Sequence, residues 1–161
     1  MHFRMKEVSI LTVVTTFKVG EDITDEIHIF LSDSRIPKNN ANIEYCHDVI
    51  VKNIECYHCR QFQRVYEYTD GCAGQYKNRK FLGWLVDRCG DKRPLIHRVF
   101  WESGHGKSKA DGAGGTLKMQ LDRAVYAEQI VFDGPQTVFN YCRNKLDYDR
   151  KDGRTTRRVY R

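Results

Sequence analysis

The order of hydrophobic patterns predicts an α/β protein, a mixed sheet with helices packed on it. The chain opens with two β-branched runs joined by Gly20-Glu-Asp, a turn signal. Helical-period segments then alternate with short apolar strands, the pattern of a layered sheet-and-helix domain. Its 161 residues, 40% of them hydrophobic with only three prolines, suffice for one packed core and not for two.

Each element has its own signal. Val8–Lys18 reads as the first strand and Asp25–Ser32 as the second, with Ile27, Ile29 and Leu31 alternating onto one face. Ser34–Asn40 is a loop. Asn40 or Asn42 then caps a helix to about Cys59, in which Ile43, Cys46, Val49, Ile50, Ile54 and Tyr57 fall near helical spacing. Arg64–Thr69 is the third strand and Phe81–Cys89 a short helix closed by Gly90. Leu95–Trp101 is the fourth strand. Helices over Thr116–Ile130 and Gln136–Leu146 complete the domain, which spans residues 1–146.

The formal charge of +6 and an isoelectric point near 9.0 favour a polyanionic partner. Eight lysines and arginines crowd residues 143–161, so residues 147–161 read as a basic, mobile tail. No apolar run approaches the roughly twenty residues of a membrane helix. Val8–Val14 is short and lacks the small-residue pattern of a signal peptide. The expectation is a nuclear or otherwise intracellular protein, neither secreted nor membrane-bound, with reduced and mostly buried thiols.

Two glycine-flanked aspartates carry the chemistry. Asp70 ends the third strand in Tyr68-Thr-Asp-Gly-Cys-Ala-Gly-Gln-Tyr-Lys77. Asp111 opens a segment that becomes helical after its glycines, in Ser103-Gly-His-Gly-Lys-Ser-Lys-Ala-Asp-Gly-Ala-Gly-Gly-Thr-Leu-Lys118. A carboxylate at a strand end facing one at a helix start is how oxygen ligands are offered to Mg²⁺ or Mn²⁺ for phosphoryl chemistry. Cations follow both acids, which suits a polyanionic substrate.

The element order resembles the ribonuclease-H-like fold with its first strand removed. The blocks Thr69–Asn78 and Gly104–Lys118 are similar to motifs of transposon-derived proteins of the DDE/D transposase type. The specific match covers roughly residues 64–120. The resemblance implies metal-dependent cleavage or strand transfer on nucleic acid, DNA in particular, by a two-metal mechanism with Mg²⁺ or Mn²⁺. It makes Asp70 and Asp111 the second and third acids, catalytic and metal-ligating. Lys77, Arg79, His105, Lys107 and Lys118 would contact nucleic acid. Lys118 lies seven residues after Asp111, nearly two helical turns, so a helix begun at Asp111 puts both on one face. Two departures stand out. The first-strand acid has no counterpart, Glu7 and Asp33 being poor substitutes, so the chain reads as a core truncated at its N-terminus. Ser108 also stands where the motif has glycine.

Each feature has a plainer reading. An Asp-Gly pair is most often a turn, and Asp111 taken alone is an N-cap or loop residue. The cations are ordinarily a solvated face. Trp84 and Trp101 read as core, although an exposed ring would stack on an unpaired base. Cys56-Tyr-His-Cys59 with Cys46 and His47 lacks the second ligand pair of a zinc site, which favours core cysteines. Gly104-His-Gly-Lys-Ser108 is not a phosphate-binding Walker loop, because Trp101 occupies the required glycine position. Two functions follow: a metal-dependent transposase-like core, or a non-catalytic transposon remnant that binds nucleic acid or protein.

Overall fold

In the computed structural model the described residues are 7–58, 62–69, 71–88, 94–101, 108–149 and 155–161. They form a mixed α/β arrangement in the order β1 (Val8–Val19), β2 (Asp22–Asp33), α1 (Asn40–His58), β3 (Arg64–Thr69), α2 (Arg79–Arg88), β4 (Leu95–Phe100), α3 (Lys109–Tyr126), α4 (Pro135–Leu146), β5 (Tyr148–Asp149) and β6 (Thr155–Tyr160). The first eight follow the expected order. The chain is organised in two compact units, one of Met1–Ile36 with Lys107–Arg161 and the other of Pro37–Gly106. The expected span of 1–146 thus contains a whole second unit.

The first unit is built on a sheet of order β1-β2-β6-β5. β1 and β2 pair antiparallel from Val8↔Asp33 to Val19↔Asp22. Their tight connection turns at Gly20, whose φ of 63° is a conformation that glycine adopts without a Cβ penalty. Ile29 and Leu31 of β2 point into a core completed by Leu117 and Leu121 of α3, Val138, Cys142 and Leu146 of α4, and Val159 of β6. α3 approaches β1 closely: a Cβ on Gly114 would lie 3.3 Å from Thr12 Oγ1. Gly112, Gly114 and Gly115, expected to precede the helix, lie within it, and Gly114 is the one in tight contact with β1.

Residues 155–160, expected within a basic tail, form β6. β6 pairs parallel with β2 from Asp25↔Thr155 to Phe30↔Tyr160. Val159 is buried in the core, and Tyr160 stacks on Phe30 with centroids 4.6 Å apart. Arg158 and Arg143 both reach Asp147, at 4.0 and 3.1 Å. The physical reason is the β-branched and aromatic content of Thr155-Thr-Arg-Arg-Val-Tyr160, a β propensity masked by its arginines.

In the second unit β3 and β4 pair parallel, Arg64↔Leu95 through Thr69↔Phe100. Burial alternates along both strands. Glu67 and Arg98 lie on the face packed by α1 and α2, whose buried residues are Ile43, Cys46, Ile50 and Ile54, and Phe81 and Leu85. Asn39, and neither Asn40 nor Asn42, caps α1, its Oδ1 accepting from Asn42 N at 3.3 Å. Among the described residues no helix is long and apolar enough to cross a membrane.

Candidate functional site

The parallel pairing of β3 and β4 brings Thr69 and Trp101 to one end of the strand pair. Trp101 N donates to Thr69 O at 2.9 Å, and a Cβ on Gly71 would lie 3.9 Å from Trp101 O. From that end the chain turns tightly, with Gln75, Tyr76 and Lys77 amides all directed at Cys72 O. Asn78 then caps α2, its Oδ1 accepting from Phe81 N at 2.9 Å, while its amide donates to Ala73 O. Arg79 and Lys80 occupy the first two positions of the helix, and no acid sits in its first turn. Both are exposed, as is Lys77, whose Nζ lies 5.8 Å from the centre of the Phe100 ring. Three cations thus surround a helix N-terminus that is itself electropositive.

α3 begins differently. Ser108 is its N-cap and Asp111 its N3 residue, joined in a capping box. Asp111 N donates to Ser108 Oγ at 3.2 Å, and Ser108 N and Oγ donate to Asp111 Oδ2 at 3.0 and 2.9 Å. Those backbone and side-chain hydrogen bonds hold the Asp111 carboxyl below its ordinary pKa. The serine that departs from the motif's glycine therefore has a local role. Lys109 leaves this helix start to bind Asp25 Oδ2 at 2.6 Å.

Of the expected site residues, Lys77 and Arg79 stand together at the α2 start. Asp111 and Lys118 share the continuous helix α3, both exposed and two turns apart. Asp70, His105 and Lys107 lie outside the described residues. Asp33 is held by Arg35, which donates to it from Nε at 2.9 Å and from Nη2 at 2.6 Å and lowers its pKa to about 2. Cys46 is buried in its unit and Cys56 exposed, while His47 turns to Glu67, so these three do not converge on a zinc ion; Cys59 lies outside the described residues. Among the described residues no group of three His, Cys, Asp or Glu side chains could hold a metal.

Two buried polar networks escaped the sequence reading. In the second unit Arg98, directly across from Glu67, pairs with its carboxylate, and His47 Nε2 lies 2.7 Å from Glu67 Oε1. The Arg98 guanidinium sits 4.2 Å from the centre of the Phe81 ring, and burial pulls its pKa down to about 10. Burial likewise lowers His47 to about 4, against the pull of Asp48. In the first unit His28 is fully buried beside Thr15 Oγ1 (3.0 Å), Tyr160 Oη (3.1 Å) and Glu26 (3.8 Å). Burial first, and Arg158 second, lower it to about 4, so it is neutral. The signal was present in the strand period: Thr24, Glu26 and His28 alternate with Ile23, Asp25 and Ile27.

A family model described as Domain of unknown function (DUF8701) matches residues 1–150. The chain belongs to that family. No curated protein and no solved structure matches it. The match spans both motif blocks, all of the second unit and the first unit up to residue 150, short of β6, so the DUF8701 region includes the α2 and α3 starts alike.

Proposed function

We propose that this chain is a nucleic-acid-binding module of ribonuclease-H-like, transposon-derived type, acting on DNA in an intracellular, nuclear setting. It holds backbone phosphates beyond the C-terminal end of the β3–β4 pair. The observation that carries the reading is the convergence there of Lys77, Arg79 and Lys80 on an acid-free helix N-terminus. Ligands of open parallel sheets bind beyond the carboxyl ends of the strands, and helix N-termini favour phosphate. His105 and Lys107 follow β4 in sequence and extend the same reading.

The metal-dependent reading, strand cleavage or transfer with Asp70 and Asp111 ligating Mg²⁺ or Mn²⁺, is favoured by one observation. Asp70 is the residue directly after β3 in the sequence. The described residues alone do not build the metal cage, since Asp111 Oδ2 already accepts two bonds from Ser108.

Fluorescence titration of labelled short DNA across a salt series tests binding. Three phosphate contacts give a slope of log affinity against log salt of about −2 to −3. Binding indifferent to salt, or no binding at low salt, would sink the proposal.

A further inference from the structure

The face of the β3–β4 pair turned away from α1 and α2 carries Arg64, Tyr66 and Tyr68 from β3 and Leu95, His97 and Val99 from β4. All are exposed, the tyrosines by 56% and 57%, and Trp101, next along the chain, by 49%. Parallel strands normally have both faces covered, so a bare aromatic face calls for an occupant. The rings are already ordered in two stacked pairs. Tyr66 and His97 have centroids 4.9 Å apart at 14°, and Tyr68 and Trp101 5.5 Å apart at 30°.

We propose that this face stacks the unpaired bases of a single-stranded nucleic acid, a deepening that rests on the nucleic-acid reading above. Three features select that occupant. Four of the residues are aromatic rings with a polar edge, suited to a base that is flat and wet at its rim. The face carries a cation, Arg64, and no carboxylate, which fits a polyanion. The second ring pair lies at the strand end from which the turn to Lys77 and Arg79 departs, so phosphates and bases of one strand have partners in sequence. Spacing then excludes a duplex. Rings two residues apart along a strand stand about 6.6 Å from each other. Bases in a duplex rise about 3.4 Å, so consecutive bases must unstack to use both platforms, which an unpaired strand does at far lower cost.

The test compares full-chain binding of a labelled oligothymidine of about twelve nucleotides with that of a duplex of equal length, at one low salt concentration. The single strand should bind tighter. Tyr68→Ala and Trp101→Ala should each weaken it by about 5- to 150-fold, while Trp101→Phe, which keeps a ring, should change it little. Trp101 emission should be quenched on binding, read as the signal lost in Trp101→Phe. Equal affinity for both probes, with the alanine variants unaffected and Lys77→Glu/Arg79→Glu weakened, would overturn the platform and leave phosphate binding standing. No binding of either probe would remove both readings. Self-association abolished by Trp101→Ala would show the face to be a protein interface and would overturn the inference.

Discussion

The N-terminus of α2 follows one motif block and that of α3 lies within the other, and they treat charge in opposite ways. α3 closes on itself: Ser108 caps it, Asp111 returns a carboxylate to the cap amide, and Lys109 is neutralised by Asp25. α2 is capped by Asn78, which brings no charge, and then adds Arg79 and Lys80 to the positive end of the helix dipole. Cations in a first turn oppose the dipole by typically 0.3–1 kcal/mol each. Neither has an ion-pair partner among the described residues. A helix start that satisfies itself is explained by folding alone. One that accumulates unfavourable charge is explained more readily by an anion from outside, and on that contrast the phosphate assignment rests.

The comparison breaks first on binding. Lys77→Glu/Arg79→Glu removes two phosphate contacts and adds two repulsions. DNA affinity at low salt should fall at least about tenfold, and the salt slope should shrink by about 2. Asp111→Ala should leave both unchanged. If the two variants lose DNA affinity equally, the α3 start belongs to the interface and the contrast fails. Deleting the residues after Leu146 is not a substitute experiment, because β6 carries Val159 of the core.

Local signals made eight elements legible, all but one nearly to their ends: α3, expected over Thr116–Ile130, begins at Lys109 and closes at Tyr126. The hairpin shows in Gly20 and in the alternation Ile27, Ile29, Leu31, and β3 was placed at Arg64–Thr69, where it is observed. What was hidden depended on partners remote in sequence. β6 is arginine-rich and becomes a strand only because β2 offers an edge in parallel register, 130 residues away. The partition into two units was hidden for the same reason, since the first is assembled from both ends of the chain. Site residues divide in a similar way. Lys77 and Arg79 were legible as cations after a strand end. The capping role of Asp111 was weighed only as the plainer alternative, and Ser108 was read as a departure from a motif instead of as the other half of a box. His47, Glu67 and Arg98 could not be grouped from sequence, because β-strand register and helix packing bring them together.

The next effect is on stability. Asp111→Ala or Ser108→Ala should destabilise the first unit by about 1 kcal/mol, within the 0.5–2 kcal/mol range of lost caps. The pH dependence identifies the cause. The Asp111 carboxyl is held below its ordinary pKa, so its contribution is present above the unfolded value and is lost as pH falls through the folded one. The gap between wild type and Asp111→Ala in urea unfolding should therefore be full at neutral pH and close in acid. His28 and His47, both lowered to about 4, weaken both proteins between pH 6.5 and 4 and cancel in the difference. A gap that persists below pH 3 would mean that Asp111 acts through something other than its charge. If Asp111→Ala instead leaves stability intact and abolishes Mn²⁺ binding by calorimetry, the acid is a metal ligand and the α3 start is functional.

The smallest effect gives the sharpest sign. Lys80→Glu replaces a cation at the second position of α2 with the charge that the dipole prefers, on an exposed side chain with no ion-pair partner among the described residues. Folding should become more favourable by about 0.3–1 kcal/mol, seen as a small rise in the urea midpoint without a change in slope. DNA affinity should fall at the same time, by about tenfold or less, because one phosphate contact is gone. A single substitution that stabilises the fold and weakens the ligand is the signature of a charge kept for binding against the interest of the helix. Lys118→Glu on α3 is the matched control, two turns beyond that helix's start and outside the reach of its dipole. It should leave stability within about 0.5 kcal/mol of wild type. If Lys80→Glu also leaves stability unchanged, or lowers it, the α2 start is not frustrated by its cations, and their clustering there is no more than a solvated surface.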